Sequence, residues 1–204
     1  QAGERVITHS KLQGRWVGHT WREAMVRIDE TALGLLELGV SRGDRVAIVS
    51  NTRQEWSACD LAILSVGAVT VGIYPTLTEA QIRYLLAHSG AKVVFVENAG
   101  LRERVDRALE GGAVALPIVQ LEGRVEGPGR LDLETLRRKG ARRKLEKPEE
   151  LERRMRENQS ADVVTLVYTS GTTGEPKGAA LTHANFHYVI HATQKLVPYE
   201  GHRT

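Results

Sequence analysis

From Thr20 onward the chain alternates between two hydrophobic periods. Trp21, Met25, Ile28, Ala32 and Leu35 recur at helical spacing. Thr20 and Glu23 stand as a capping box ahead of them and Gly39 offers a left-handed stop, so an amphipathic helix with one buried stripe is predicted. After the Gly43-Asp44 turn, Val46-Ala47-Ile48-Val49 is short and apolar at every position, the pattern of a strand covered on both faces. Asn51 to Val66 predicts a second helix, apolar nearly all round and therefore deep. Val69 to Ile73 predicts another strand, ended by Tyr74-Pro75. Thr78 and Gln81 box the start of a further helix that Gly90 closes, and Lys92 to Val96 repeats the strand theme.

The same alternation continues towards the C-terminus. A helix is expected from Gly100 to Leu109, a strand from Val114 to Gln120, and a Gly/Pro-rich turn from Gly123 to Gly129. The basic stretch that follows is expected to be helical with breaks at Gly140 and Pro148, leading to a strand, Val163 to Tyr168. Ahead of Thr20, Arg5 to Thr8 and Arg15 to Gly18 predict a small hairpin packed on the main sheet. Strands alternating with helices of this length predict an α/β fold with a mostly parallel sheet flanked by helices.

Composition narrows the class without deciding it. With 204 residues, 41% of them apolar, the chain is long enough for one large core. It contains no run of about 18 apolar residues, and its polar start, Gln1-Ala2-Gly3-Glu4-Arg5, does not read as a signal peptide, so a cytoplasmic setting is expected. The single cysteine, Cys59, lies in the apolar segment from Trp56 to Val66 and is expected to be a buried structural thiol. A net charge of +3 does not suggest nucleic acid, but ten Lys/Arg face four Glu between Arg137 and Arg156. That run is expected to be a solvated helix face; an RNA-binding reading lacks aromatics to stack bases and predicts a steep salt dependence.

The chemistry is concentrated in Thr169-Ser170-Gly171-Thr172-Thr173-Gly174-Glu175-Pro176-Lys177-Gly178. Glycines let backbone N–H groups turn towards one point, hydroxyls add donors, and a lysine adds a full positive charge, which suits a polyphosphate. It is not a Walker A loop. From Gly171 the fifth residue on is Pro176, and Lys177 is followed by Gly178 to Thr182, a run with the pattern of a strand where Walker A requires a helix.

The pattern from Tyr168 to Gly178, followed by Leu181-Thr182-His183 and Asn185, resembles the signature of the adenylate-forming acyl-activating enzymes. Thr20 to Glu23, Gly39-Val40 followed by Gly43 to Ile48, Glu55-Trp56, and Gly67-Ala68-Val69 through Ile73 to Thr78 are similar to the early part of these enzymes in the same order, with the long-chain acyl-CoA synthetases nearest. The resemblance implies ATP-dependent activation of a carboxylic acid, a fatty acid in that branch, to an acyl-adenylate and then to an acyl-CoA. ATP, Mg²⁺ and coenzyme A are the implied cofactors. The implied phosphate-binding residues are Thr169, Ser170, Gly171, Thr172, Thr173, Gly174, Lys177 and Gly178, with Thr169 also touching the metal. It further implies that residues 1–204 are the N-terminal portion of an adenylation domain, with 1–19 a small β-hairpin region and 20–198 alternating β/α. The C-terminal domain with its adenylation lysine is absent, so no catalytic residue is expected in this chain and the piece alone is expected to be inactive. No nucleic-acid partner and at most a peripheral membrane association are expected.

Other adenylate-formers, such as peptide-synthetase adenylation domains or acyl-carrier-protein synthetases, share the loop and stay open as alternatives, as does a non-catalytic nucleotide-binding piece. His183, His187 and His191 stand four apart and would share a helix face, but no acidic residue follows at a helpful spacing for zinc. His183 is expected at a helix start, with His187 and His191 on the surface or between helices. Asn158-Gln159-Ser160 fits a glycosylation pattern that a cytosolic setting makes accidental.

Overall fold

The computed structural model describes residues 2–12, 14–111, 116–125, 127–169 and 175–196. The elements in chain order are β1 (Val6–Leu12), β2 (Arg15–Thr20), α1 (Trp21–Glu37), β3 (Arg45–Val49), α2 (Gln54–Ser65), β4 (Val69–Ile73), α3 (Glu79–Ser89), β5 (Ala91–Val96), α4 (Ala99–Leu109), β6 (Ile118–Gln120), β7 (Arg130–Asp132), α5 (Leu133–Glu146), α6 (Glu150–Glu157), β8 (Val163–Thr169), β9 (Lys177–Thr182) and α7 (His183–Leu196). Seven strands form one sheet in the order β7-β6-β5-β3-β4-β8-β9, parallel throughout except for the antiparallel β8–β9 pair. The mostly parallel α/β sheet expected from the alternation is therefore present.

The unbroken apolar run of β3 follows from its position. Val46 and Ile48 face α1, α2 and α5, whereas Ala47 and Val49 face α3 and α4, and all four are fully buried. Each residue of such a strand leaves water on one side or the other, so no polar alternation survives. The chain moves from β3 to β4 on one side, then returns across β3 to β5. The strand order thus reverses between β3 and β5, a switch point of the kind that opens a crevice at the carboxyl ends of strands.

Both expected capping boxes form. Thr20 Oγ1 accepts from the Glu23 N–H at 3.2 Å while the Thr20 N–H donates to the Glu23 carboxylate at 2.8 Å. Thr78 and Gln81 repeat the arrangement, and Gly90, at φ +61°, closes α3 in the left-handed region.

Several boundaries differ from expectation. The second helix begins at Gln54 and buries Cys59, Ala62 and Ile63, so it is one-sided, with Glu55 half-buried and Leu61 exposed. The hairpin β1–β2 is a separate two-stranded sheet beside α1 and α2 and does not lie on the main sheet. It is tied by the Trp21 N–H to Arg5 O at 3.0 Å and by Gln54 Nε2 to Thr8 Oγ1 at 3.3 Å. Of the expected strand Val114–Gln120, Ile118–Gln120 is β6, while 112–115 lie outside the described residues, as does 126 in the expected turn. Strand β7 was not anticipated, because three residues carry no alternation to read.

Helix α5 runs unbroken through Gly140 and stops before Pro148. Gly140 does not end the helix; it lets α1 approach. A Cβ there would lie 1.8 Å from Glu30 O, and one on Gly34 would lie 2.6 Å from Leu136 O, so the two helices cross backbone to backbone. The basic run borders this crossing as a ladder. Lys144 reaches Asp29 at 2.7 Å, Arg137 reaches Glu30 at 3.2 Å, and Arg143 reaches Glu37 at 2.5 Å and Glu150 at 2.7 Å. Much of the positive charge therefore faces acids of α1 and α6.

Candidate nucleotide-phosphate site

The two ends of the candidate phosphate motif lie on a pair of strands. In the β8–β9 register Thr169 stands opposite Lys177 and Tyr168 opposite Gly178. Directly opposed residues share a face, with Cβ atoms about 4.5–5.5 Å apart. Thr169 and Lys177 thus bring a hydroxyl and an ammonium group together on one side, both exposed to solvent. Tyr168 and Gly178 occupy the other side. A Cβ on Gly178 would meet the Tyr168 ring at 3.1 Å, so the glycine at this motif position seats an aromatic ring across the strand pair. Ser170, Gly171, Thr172, Thr173 and Gly174 lie outside the described residues.

Beside this pair is a cavity of about 440 Å³ at the carboxyl ends of β3, β4 and β8. Ser50, Asn51, Thr52 and Trp56 line it from the β3 side, Gly72 to Pro75 from β4, and Thr165 to Tyr168 from β8. Tyr74 stands at its mouth with most of its ring in solvent. The volume lies within the range of about 300–1,000 Å³ typical of small-molecule sites.

The neighbouring switch-point crevice is filled by protein. The Glu97 carboxylate at the end of β5 accepts from the Asn51 N–H at 2.7 Å, Asn51 Nδ2 at 3.0 Å and Ser50 Oγ at 3.1 Å. Burial raises its pKa, but these donors and Arg53 outweigh burial and hold it below the ordinary carboxylate range. Arg53 also reaches Glu55 at 2.7 Å and Glu122 at 2.5 Å. Its burial disfavours the charge, yet those two carboxylates push its pKa upward. The network pins the loop carrying Asn51 and Thr52, which forms one wall of the open cavity.

The downstream part of the motif, Leu181-Thr182-His183-Ala184-Asn185, builds a helix start. The Thr182 N–H donates to Asn185 Oδ1 at 2.8 Å, and the Asn185 N–H donates back to Thr182 Oγ1 at 3.3 Å. His183 is therefore the first residue of α7, its N–H donating to Asp162 O at 3.1 Å. His187 and His191 pack ring to ring at 4.6 Å on that exposed helix, and among the described residues no three His, Cys, Asp or Glu side chains gather as a metal site. Cys59 is buried, and burial foremost pushes its thiol pKa up, which fits the structural thiol expected from its apolar segment.

Sequence reading did not single out the contacts behind the loop. Tyr84 and His88, one turn apart on α3, approach the two strands that carry Thr169 and Lys177. Their four-residue spacing was visible, but nothing in it signalled which strand they would face.

An open doubly wound sheet with a cavity at its carboxyl edge and a hydroxyl–lysine pair beside it belongs to the class of ligand-binding α/β domains. Residues 1–203 match the family described as AMP-binding enzyme, and the chain belongs to that family. It is 43% identical over 194 residues to the long-chain-fatty-acid–CoA ligase FadD15 of Mycobacterium bovis, covering 95% of this chain and 31% of the relative. It is 29% identical over 184 residues to fatty acyl-CoA synthetase A of Dictyostelium discoideum, covering 84% of this chain and 25% of that one. The chain thus spans about a third or less of the length of these relatives. Among solved structures, the anthranilate CoA ligase AuaEII in complex with anthranoyl-AMP is similar, with a TM-score of 0.69, 25% identity and coverage of 86% of this chain and 32% of that one. Among the described residues no helix is long and apolar enough to cross a membrane.

Proposed function

We propose that this chain is the N-terminal portion of the adenylation domain of an acid–thiol ligase, the part that holds the β- and γ-phosphates of ATP while a fatty acid is activated. The observation that carries the reading is the pairing of Thr169 with Lys177 at the sheet's carboxyl edge, beside a cavity of about 440 Å³. The relatives' names support a long-chain fatty acid as the acid and coenzyme A as the thiol.

The chemistry follows from the charges. A carboxylate with a pKa near ~4–5 is ionised at neutral pH and needs no base before it attacks the α-phosphorus. The difficulty is bringing one anion onto another and releasing pyrophosphate, itself strongly anionic. Lys177 supplies a full charge where that leaving group gathers its own, and the Thr169 hydroxyl supplies a donor beside it. The family resemblance adds Ser170, Thr172 and Thr173 as further hydroxyl donors, with Gly171 and Gly174 as the glycines of the motif. Gly178 acts one step removed, by accepting the Tyr168 ring.

Mg²⁺ fits this edge only in a limited way. One neutral hydroxyl, that of Thr169, is a minor ligand, so the phosphate oxygens would hold most of the ion, as is usual for Mg²⁺ in nucleotide sites. Bound there, the ion neutralises charge on the phosphates.

Replacing Lys177 with alanine in the full-length ligase should lower exchange of labelled pyrophosphate into ATP by about 10²-fold or more. An unchanged exchange rate would refute the assignment.

A further inference from the structure

The β8–β9 hairpin is joined to the sheet at its base alone. Strand β8 pairs with β4 through Thr70↔Thr165 and Val71↔Leu166, whereas Tyr168 and Thr169 form no rung to β4, although β4 runs on to Ile73. Strand β9 is the sheet edge and is exposed from Lys177 to Ala180. The end of the hairpin that carries Thr169 and Lys177 therefore gains no backbone support from β4.

Side chains of α3 hold it instead. Tyr84 Oη donates to Pro176 O at 3.2 Å, next to the start of β9. His88 Nδ1 and Tyr168 Oη share a hydrogen bond at 2.8 Å, next to the end of β8. The three rings form one stack, Tyr84 against His88 at 5.3 Å and His88 edge-on to Tyr168 at 5.7 Å, and Tyr168 in turn covers Gly178. One helix face thus touches both strands near Thr169 and Lys177, on the side opposite those two residues. Burial first, and the Glu175 carboxylate second, raise the Tyr84 pKa, so the phenol keeps the proton it donates.

Helix α3 is a firm support. It is boxed at its start and closed at Gly90. Arg83 bonds Ala108 O at 2.7 Å and Arg107 bonds Glu79 at 2.6 Å, docking it on α4. Arg104 bonds Pro75 O at 2.7 Å and also Leu77 O, fixing the loop that leads into it.

We infer that Tyr84 and His88 are positioning residues for the phosphate site, setting from behind the spacing and direction of Thr169 and Lys177. The inference rests on the proposed function for its consequence in catalysis, although the mechanical part stands on the hairpin alone. Amide hydrogen exchange on this chain tests that part. The double variant Tyr84→Phe with His88→Ala should exchange about tenfold faster from Val167 to Thr169 and from Lys177 to Ala179, with the base rungs from Val163 to Leu166 unchanged. Tyr84→Phe with His88→Asn, which keeps a hydrogen-bonding atom at the δ position, should recover most of the protection. Equal protection in all variants, or a rise spread evenly over base and tip, would overturn the inference. In the full-length ligase the double variant should raise the KM for ATP about tenfold with a smaller change in kcat. Faster tip exchange with unaltered ATP kinetics would reject the catalytic consequence, whereas loss of the proposed function itself would show as Lys177→Ala leaving pyrophosphate exchange intact.

Discussion

Adding one methyl group at Gly140 tests the packing on which this half of the sheet depends. A Cβ at that position would lie 1.8 Å from Glu30 O, 2.7 Å from Glu30 C and 2.8 Å from Gly34 N, all backbone atoms of α1 that no side-chain rotation can clear. Carbon–oxygen contacts relax only near ~3.3 Å, so α1 and α5 would have to part by about 1.5 Å. A gap of that size forfeits much of the dispersion well of every atom pair along the crossing. Fully buried Leu136 and Leu33 sit in the same core and would lose contact first. Overpacking of this kind costs about 3–4 kcal/mol, and alanine returns about 1 kcal/mol through its better helix propensity. A net loss of about 2–3 kcal/mol should lower the melting temperature by about 5–10 °C for a chain of this size. Thermal and urea unfolding of Gly140→Ala beside Arg138→Ala, an exposed neighbour on the same helix, give the measurement. A Gly140→Ala protein as stable as its parent would refute the backbone crossing, because propensity alone would then govern the site.

Two further outcomes follow from buried groups. Glu97, ordinarily near 4.5, is held lower in the folded chain, so its stabilising effect is full above about pH 5 and is lost as pH falls through the folded value. The stability gap between the parent and Glu97→Gln should therefore be widest at neutral pH and narrow towards pH ~3, and a gap independent of pH would contradict the network at Ser50 and Asn51. Cys59, 1% exposed and with its thiol pKa raised by burial, should resist an aromatic disulfide reagent until the chain unfolds; prompt labelling of the native protein would disprove its burial.

Much of the architecture was legible because local and global signals agreed. The boxes at Thr20 and Thr78, the left-handed Gly90 and the four-residue apolar run of β3 each have a single cheap solution, and the structure adopts it. Misreadings arose where tertiary contact decided. Gly140 resembles a helix breaker in isolation, and only the nearness of Glu30 O explains a glycine inside an unbroken helix. The basic run is the solvated face its charge suggested, with Arg138, Arg142, Lys144, Lys147, Arg153 and Arg156 exposed, but its acidic partners Asp29, Glu30 and Glu37 were not legible because they lie about a hundred residues earlier. For the proposed phosphate site, the motif named Thr169 and Lys177, and the register sets them opposite each other. Tyr84 and His88 were invisible because periodicity places them on a helix face without saying what that face meets.

The α1–α5 crossing also has a consequence in time. Glu30 and Arg137 are 107 residues apart in sequence. At about 5–20 residues per second, a ribosome needs roughly 5–20 seconds between exposing the one and delivering the other. Throughout that interval the glycine-lined flank of α1 meets water or a chaperone in place of Leu136 and Gly140. Helix α1 is thus made well before the helix that covers this flank, and slower synthesis across the β5–α4 stretch would prolong its exposure.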